Sequence, residues 1–223
     1  AATEYLNKFR DSLETNAASI DYVESMNELI GAGETDRNKA AVAFDVAFAE
    51  VLAASGIPVG ACLLNVAVGN PGLGDPVLVP AARAAVEHDG VLGAHGYWFA
   101  TSEAHGLESH WHVHAGRALE DWDRMFAAHG LKPKYLLGEC GAVASQDEGV
   151  KWEPELGWRS AACLNGDFDA YLQQLVLFNE RLKYWNVEND DRCLGAVLFT
   201  TGFGWPHFQI RESQMQALRL AIY

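Results

Sequence analysis

Two glutamates set the chemistry this chain can attempt. Glu28 follows Asn27 at the end of the stretch Tyr22-Val23-Glu24-Ser25-Met26. Glu139, 111 positions later, ends Lys134-Tyr135-Leu136-Leu137-Gly138. A pair of carboxyl groups flanking one bond is what hydrolysis of a glycosidic link requires. One stays protonated and donates to the leaving oxygen. The other is ionised and either attacks the anomeric carbon or activates water. Strand ends suit this work, because in a parallel barrel the loops that follow the strands converge on one face. Two solvated glutamates at strand ends are the plain alternative, and spacing alone leaves both open.

The elements that must position them alternate. Leu6, Phe9 and Leu13 give a helical spacing over 3–15, and 20–26 is the first strand. Thr35 and Asp36 cap a helix running to about Ser55, where Gly56 and Pro58 stop it. Residues 59–68 form a second strand, nearly continuous in apolar and small residues, as a strand covered on both faces would be. Pro80 opens a short helix to His88, and 90–99 is the third strand. A helix over 116–129 closes at Gly130 and Pro133, and 134–139 is the fourth strand. The Trp-bearing stretch 141–165 is too long for a plain connection. A helix over 167–184, a fifth strand over 194–200 and a closing helix over 210–223 complete the order. Strands separated by helices run parallel with right-handed crossovers. The class is therefore α/β; alternation alone does not choose between an open doubly wound sheet and a barrel.

Composition narrows the partners. The chain has 223 residues, 49% hydrophobic and 21% charged, enough apolar material for a sizeable core. A formal net charge of -14 argues against a nucleic-acid or anionic-membrane surface and leaves a neutral ligand such as a sugar open. No run is long and apolar enough to span a bilayer. Cys62, Cys140, Cys163 and Cys193 form no C-x-x-C pair; Cys62 and Cys193 sit in or beside apolar runs and read as buried thiols. Neither the disulfide state nor the compartment follows from the sequence.

On Asn27-Glu28 and Leu137-Gly138-Glu139-Cys140-Gly141 the chain resembles clan A glycoside hydrolases, the retaining (β/α)8 enzymes of the 4/7 superfamily. In that clan an Asn-Glu pair ends strand 4 and carries the acid/base, and a glutamate ends strand 7 as nucleophile. The resemblance implies that Glu28 is the acid/base, Glu139 the nucleophile, and Asn27 the residue orienting the sugar's 2-substituent. His95-Gly96-Tyr97-Trp98 resembles the clan's strand 6, which implies a Tyr97 bond to the nucleophile and a sugar contact at His95. Trp205 stands where the clan places its aromatic sugar platform after strand 8, with Phe203 second. No metal or other cofactor is implied. The chain would then be a single domain over 1–223 supplying strands 4 to 8 of a TIM-barrel-type fold. Strands 1 to 3 would come from a second chain or a cleaved piece of one precursor, or the sequence would be a fragment, or two copies would pair their open edges. A non-catalytic carbohydrate-binding or scaffold protein of the same fold is the alternative. An open-sheet hydrolase is a further one, without the G-x-S-x-G elbow in its favour.

Other features carry less. His110, His112 and His114 would share a face on a strand and bind a metal. They lie between a loop and a helix with no carboxylate partner, so sugar contact or loop packing is the expectation. Glu24 would lie on the same strand face as Glu28, buried and needing a cationic partner. Glu103, Glu108, Asp147 and Glu148 read as solvated, and Trp152 and Trp158 as candidate sugar contacts. The glycine-rich stretch 69–74 has neither the spacing nor the ending of a phosphate loop.

Overall fold

The computed structural model describes residues 1–100, 107, 111–144, 157–199 and 205–222. The first expected helix is two, α1 (Ala2–Asn7) and α2 (Arg10–Asn16). Strand β1 is short, Tyr22–Glu24. Helix α3 (Thr35–Ala54) begins behind Glu34 rather than a Thr35 cap, with Asp36 in its first turn, where a negative charge suits the helix dipole. It stops where Gly56 takes φ +75, ahead of Pro58. β2 (Gly60–Val66) is buried along nearly its whole length, as its apolar run requires. Asp75 accepts from the Val77 amide at 3.0 Å and caps a turn leading into α4 (Val79–Glu87).

β3 covers Val91–Phe99. The helix expected over 116–129 is broken. Trp111–Ala115 and Ala118–Trp122 are π-helical turns, and only α5 (Asp123–Ala127) is α-helical. His112 and His114 lie on a π-helical turn rather than on a strand. His110 lies outside the described residues, and His114 packs its ring edge-on against Phe99 at 5.3 Å. β4 (Lys134–Val143) runs four residues past Glu139. α6 (Phe168–Glu188) is capped by Asp167, which accepts from the Asp169 amide at 2.9 Å. β5 (Cys193–Leu198) and α7 (Glu212–Ile222) follow.

The five strands lie in one sheet in chain order, β1-β2-β3-β4-β5. β1 pairs with β2 in parallel, and β2 with β3. An order that advances one strand at a time, each crossover passing through a helix, has no switch point. That is the winding of a (β/α)8-type sheet rather than a doubly wound one. The fold is α/β, and the chain supplies five strand–helix units of this barrel type.

The chain divides into two compact, interleaved units. The first is Ala1–His95 with Ala118–Leu137 and Arg192–Leu194; the second is Gly96–Arg117 with Gly138–Asp191 and Gly195–Tyr223. In the first, α3 buries Val42, Phe48, Ala49 and Leu52, at about 1.5–3 kcal/mol for each large side chain. Arg192 grips Asp123 through both guanidinium nitrogens, at 2.5 and 2.9 Å, and Tyr135 donates to the same carboxylate. In the second unit, α6 buries Tyr171, Leu175, Phe178, Leu182 and Trp185. Trp98 stacks on Phe178 and Trp158 on Tyr171. All four cysteines are free, and Cys62, Cys140 and Cys193 are buried. Among the described residues no helix is long and apolar enough to cross a membrane.

Candidate active site

The first unit holds Glu28. β1 ends at Glu24, yet its ladder continues, with the Ser25 amide donating to the Cys62 carbonyl and the Glu28 amide to the Asn65 carbonyl, each at 3.0 Å. Glu28 itself sits at φ +54, in the left-handed region that side chains other than glycine seldom enter. The turn aims its half-exposed carboxylate at β3, where Oε1 lies 2.9 Å from Nδ1 of the buried His95. That close contact with the His95 ring holds the Glu28 carboxyl below the ordinary glutamate range; partial burial pulls the other way and loses. Asn27 is exposed beside it. Glu24 is exposed as well, so the expected buried carboxylate is corrected: on a three-residue edge strand its side chain meets solvent and needs no cation.

The local backbone explains the turn. β2 and β3 fall out of step between Leu63 and Val66: three residues on β2 span the two steps from Leu92 to Ala94 on β3. This is a β-bulge, and it puts Leu64 at φ +78 and Asn65 at φ +40. Asp45, buried on α3, holds it. Its Oδ2 accepts from the Leu64 amide at 3.0 Å, and its Oδ1 accepts from Ser25 Oγ at 2.5 Å. Burial pushes the Asp45 carboxyl up to about 6, against the lowering effect of both hydrogen bonds. The Asn65 side chain turns inward to the Cys62 carbonyl and thiol. It fills the space above Gly93, where any Cβ would overlap Asn65 Oδ1. Burial, with the Glu24 and Asp45 charges adding to it, pushes the Cys62 thiol up to about 12.

The second unit holds Glu139, a half-buried residue midway along β4 rather than at its end. Tyr97 on β3 donates its hydroxyl hydrogen to Glu139 Oε2 at 2.8 Å. The Tyr97 ring meets Phe199 and Phe208 edge-on, each at 6.2 Å, and Trp205 meets the same two rings at 5.6 and 6.2 Å. Trp205 is half-buried. Trp158 is fully buried and donates its indole N–H to the Phe208 carbonyl at 3.0 Å; it is a core residue, not a sugar contact. Phe203, Trp152, Glu103, Glu108, Asp147 and Glu148 lie outside the described residues.

The structure thus brings Glu28 to His95 and Glu139 to Tyr97, with both partners drawn from β3 two positions apart. What the sequence did not disclose is the support of Ser25, Asp45, Asn65 and Gly93. A faint signal exists: Asp45 and Asn65 are lone polar residues inside the apolar stretches Ala43–Phe48 and Ala61–Val66.

No protein-family model matches the chain. No curated protein matches it either. Among solved structures it is similar to XacCel5A, with 12% identity and a TM-score of 0.48, over 98% of this chain and 78% of that one. At that identity and TM-score the likeness carries no argument about chemistry.

Proposed function

We propose that the protein is a retaining glycoside hydrolase acting on a β-linked sugar, with Glu28 as acid/base and Glu139 as nucleophile. The observation that carries this is the pairing of each glutamate with its own orienting residue on β3. A nucleophile must be fixed in direction, and a single strong donor such as the Tyr97 hydroxyl provides that. Glu139 would attack the anomeric carbon and form a covalent glycosyl-enzyme, while Glu28 gives its proton to the leaving oxygen. Glu28, then ionised, would take a proton from the water that releases the sugar. The His95 contact keeps Glu28 in the ionised form from which this second half-reaction starts. Asn27 would orient the sugar's 2-substituent, and Trp205 would stack on its C–H face. A retaining mechanism requires the two carboxyl groups to stand about 5–5.5 Å apart.

A complete barrel of this type needs three further strands, supplied by a second polypeptide or by more of the same one. β5 stands at one end of the strand order, an edge of the kind that a further strand pairs with. The test is a panel of aryl β-glycosides, with Glu28→Gln and Glu139→Gln as controls, followed by trapping with a 2-fluoro glycoside. Mass spectrometry should place the adduct on the peptide that contains Glu139. Hydrolysis that survives both substitutions overturns the assignment.

One observation favours a second reading, a sugar-binding protein without catalysis: the Glu28 carboxyl is held low, whereas a resting acid is held high. Sugar binding by calorimetry, with no hydrolysis of any glycoside, would decide for it.

A further inference from the structure

Resting on the reading of Glu28 as acid/base, we propose that Asp45 is a positioning residue for Glu28, acting through the β2 bulge. The path is short and lies wholly within one unit. Asp45 Oδ2 takes the Leu64 amide, whose residue has a backbone that a leucine seldom adopts. Asp45 Oδ1 takes Ser25 Oγ, on the segment that runs on to Glu28. One carboxylate therefore clamps both strands that flank the Glu28 turn. The bulge it fixes presents the Asn65 carbonyl, and that carbonyl holds the Glu28 amide at 3.0 Å. With its amide held and φ at +54, Glu28 points to His95 rather than along the β1 direction.

A bulge stabilised only for the fold's sake would not need this arrangement. Asp45 remains a carboxyl on the buried face of α3 among Val42, Phe48 and Ala49, where a charge is costly. Its titratable neighbour is Cys62 on β2, which is not cationic, and among the described residues no ion pair offsets that cost. What it receives instead is the two hydrogen bonds that set the geometry. Gly93 belongs to the same device, since only a residue without Cβ leaves room for the Asn65 side chain.

The Glu28 titration tests this without any substrate. The protein is labelled with carboxyl-13C glutamate, Glu28 is assigned by Glu28→Gln, and its pKa is measured in four forms. Asp45→Ala removes both acceptors, so the contact with His95 loosens and the Glu28 pKa rises toward the ordinary glutamate value. Asp45→Asn keeps an acceptor for the Leu64 amide and a donor for Ser25 Oγ, so the wild-type titration is retained. Leu52→Ala weakens the same helix without touching either hydrogen bond and leaves Glu28 unmoved. Should Asp45→Ala not fold, Ser25→Ala carries the test with a smaller upward shift expected. An unchanged Glu28 titration in a folded Asp45→Ala or Ser25→Ala protein overturns the proposal. So does an equal shift in Leu52→Ala. Failure of the proposed function is seen separately, as no glycoside hydrolysis sensitive to Glu28→Gln.

Discussion

Tyr97 and Glu139 are joined side chain to side chain across neighbouring strands, the hydroxyl hydrogen pointing at Oε2 over 2.8 Å. A hydrogen bond to a carboxylate contributes about 1.5–3 kcal/mol. Tyr97→Phe keeps the ring packed against Phe199 and Phe208 but deletes the donor. Its kcat should fall about tenfold to a hundredfold with KM little changed. A wild-type rate would remove Tyr97 from the mechanism.

His95 governs the charge of Glu28. His95→Phe removes the contact that lowers the Glu28 carboxyl, so the pKa rises. The acid limb of the pH–rate profile moves to higher pH with it, because the base form of Glu28 is lost sooner on acidification. The stability consequence has a definite sign. A carboxyl lowered in the folded state contributes stability that is present above its unfolded pKa and lost as pH falls through the folded one. His95→Phe should therefore flatten the acid side of the urea-stability curve, a difference read by titrating both proteins below neutral pH.

Asp45 has the opposite sign. Raised from an ordinary value near 3.8 to about 6, it makes the folded state bind more protons than the unfolded one between those two values. Its contribution to stability is fullest at low pH and is lost as pH rises through about 6, a swing of roughly 3 kcal/mol at most. Urea unfolding of wild type and Asp45→Asn from pH 4 to 7.5 should show the difference between them shrinking or reversing as pH rises. A difference that is flat across this range would mean that Asp45 does not titrate there.

Gly93→Ala should destabilise the protein by about 1–3 kcal/mol, because the new methyl meets Asn65 Oδ1 in a buried site that cannot widen. Adding Asn65→Gly, which removes the obstructing side chain and suits the positive φ, should recover part of that loss. Chemical denaturation of the two variants measures it.

Trp205→Ala tests the sugar platform. Its ring rests on Phe199 and Phe208 and is half-buried. Truncation should weaken sugar binding roughly tenfold, about 1.4 kcal/mol. The Tyr97–Glu139 bond, and with it the kcat for an activated aryl glycoside, should change little.

The strands were legible because each is an apolar run punctuated by glycine or proline, and Gly56, Pro58 and Gly130 mark the stops. The helix expected over 116–129 is broken because its first part, Ala118–Trp122, winds as a π-helical turn, which composition does not distinguish from an α-helical one. Glu28 and Glu139 stood out as glutamates at the ends of apolar stretches, and His95 and Tyr97 through the family resemblance of His95-Gly96-Tyr97-Trp98. Asp45 and Asn65 did not, since a polar residue inside an apolar stretch shows its purpose only when its distant partner is known: Ser25 lies 20 positions from Asp45, and Leu64 19. The bulge itself leaves no mark in composition, because Leu64 is a residue that composition would never place at positive φ.

That bulge makes the site sensitive to chain length as well as to side-chain identity. Between Leu63 and Val66 the β2 strand carries one residue more than its neighbour needs. Deleting a single residue there would let the ladder close in regular step with Ala94 and leave a better-paired sheet. It would also withdraw the carbonyl that anchors Glu28, so on the proposed function a shorter and more regular strand would be the poorer catalyst.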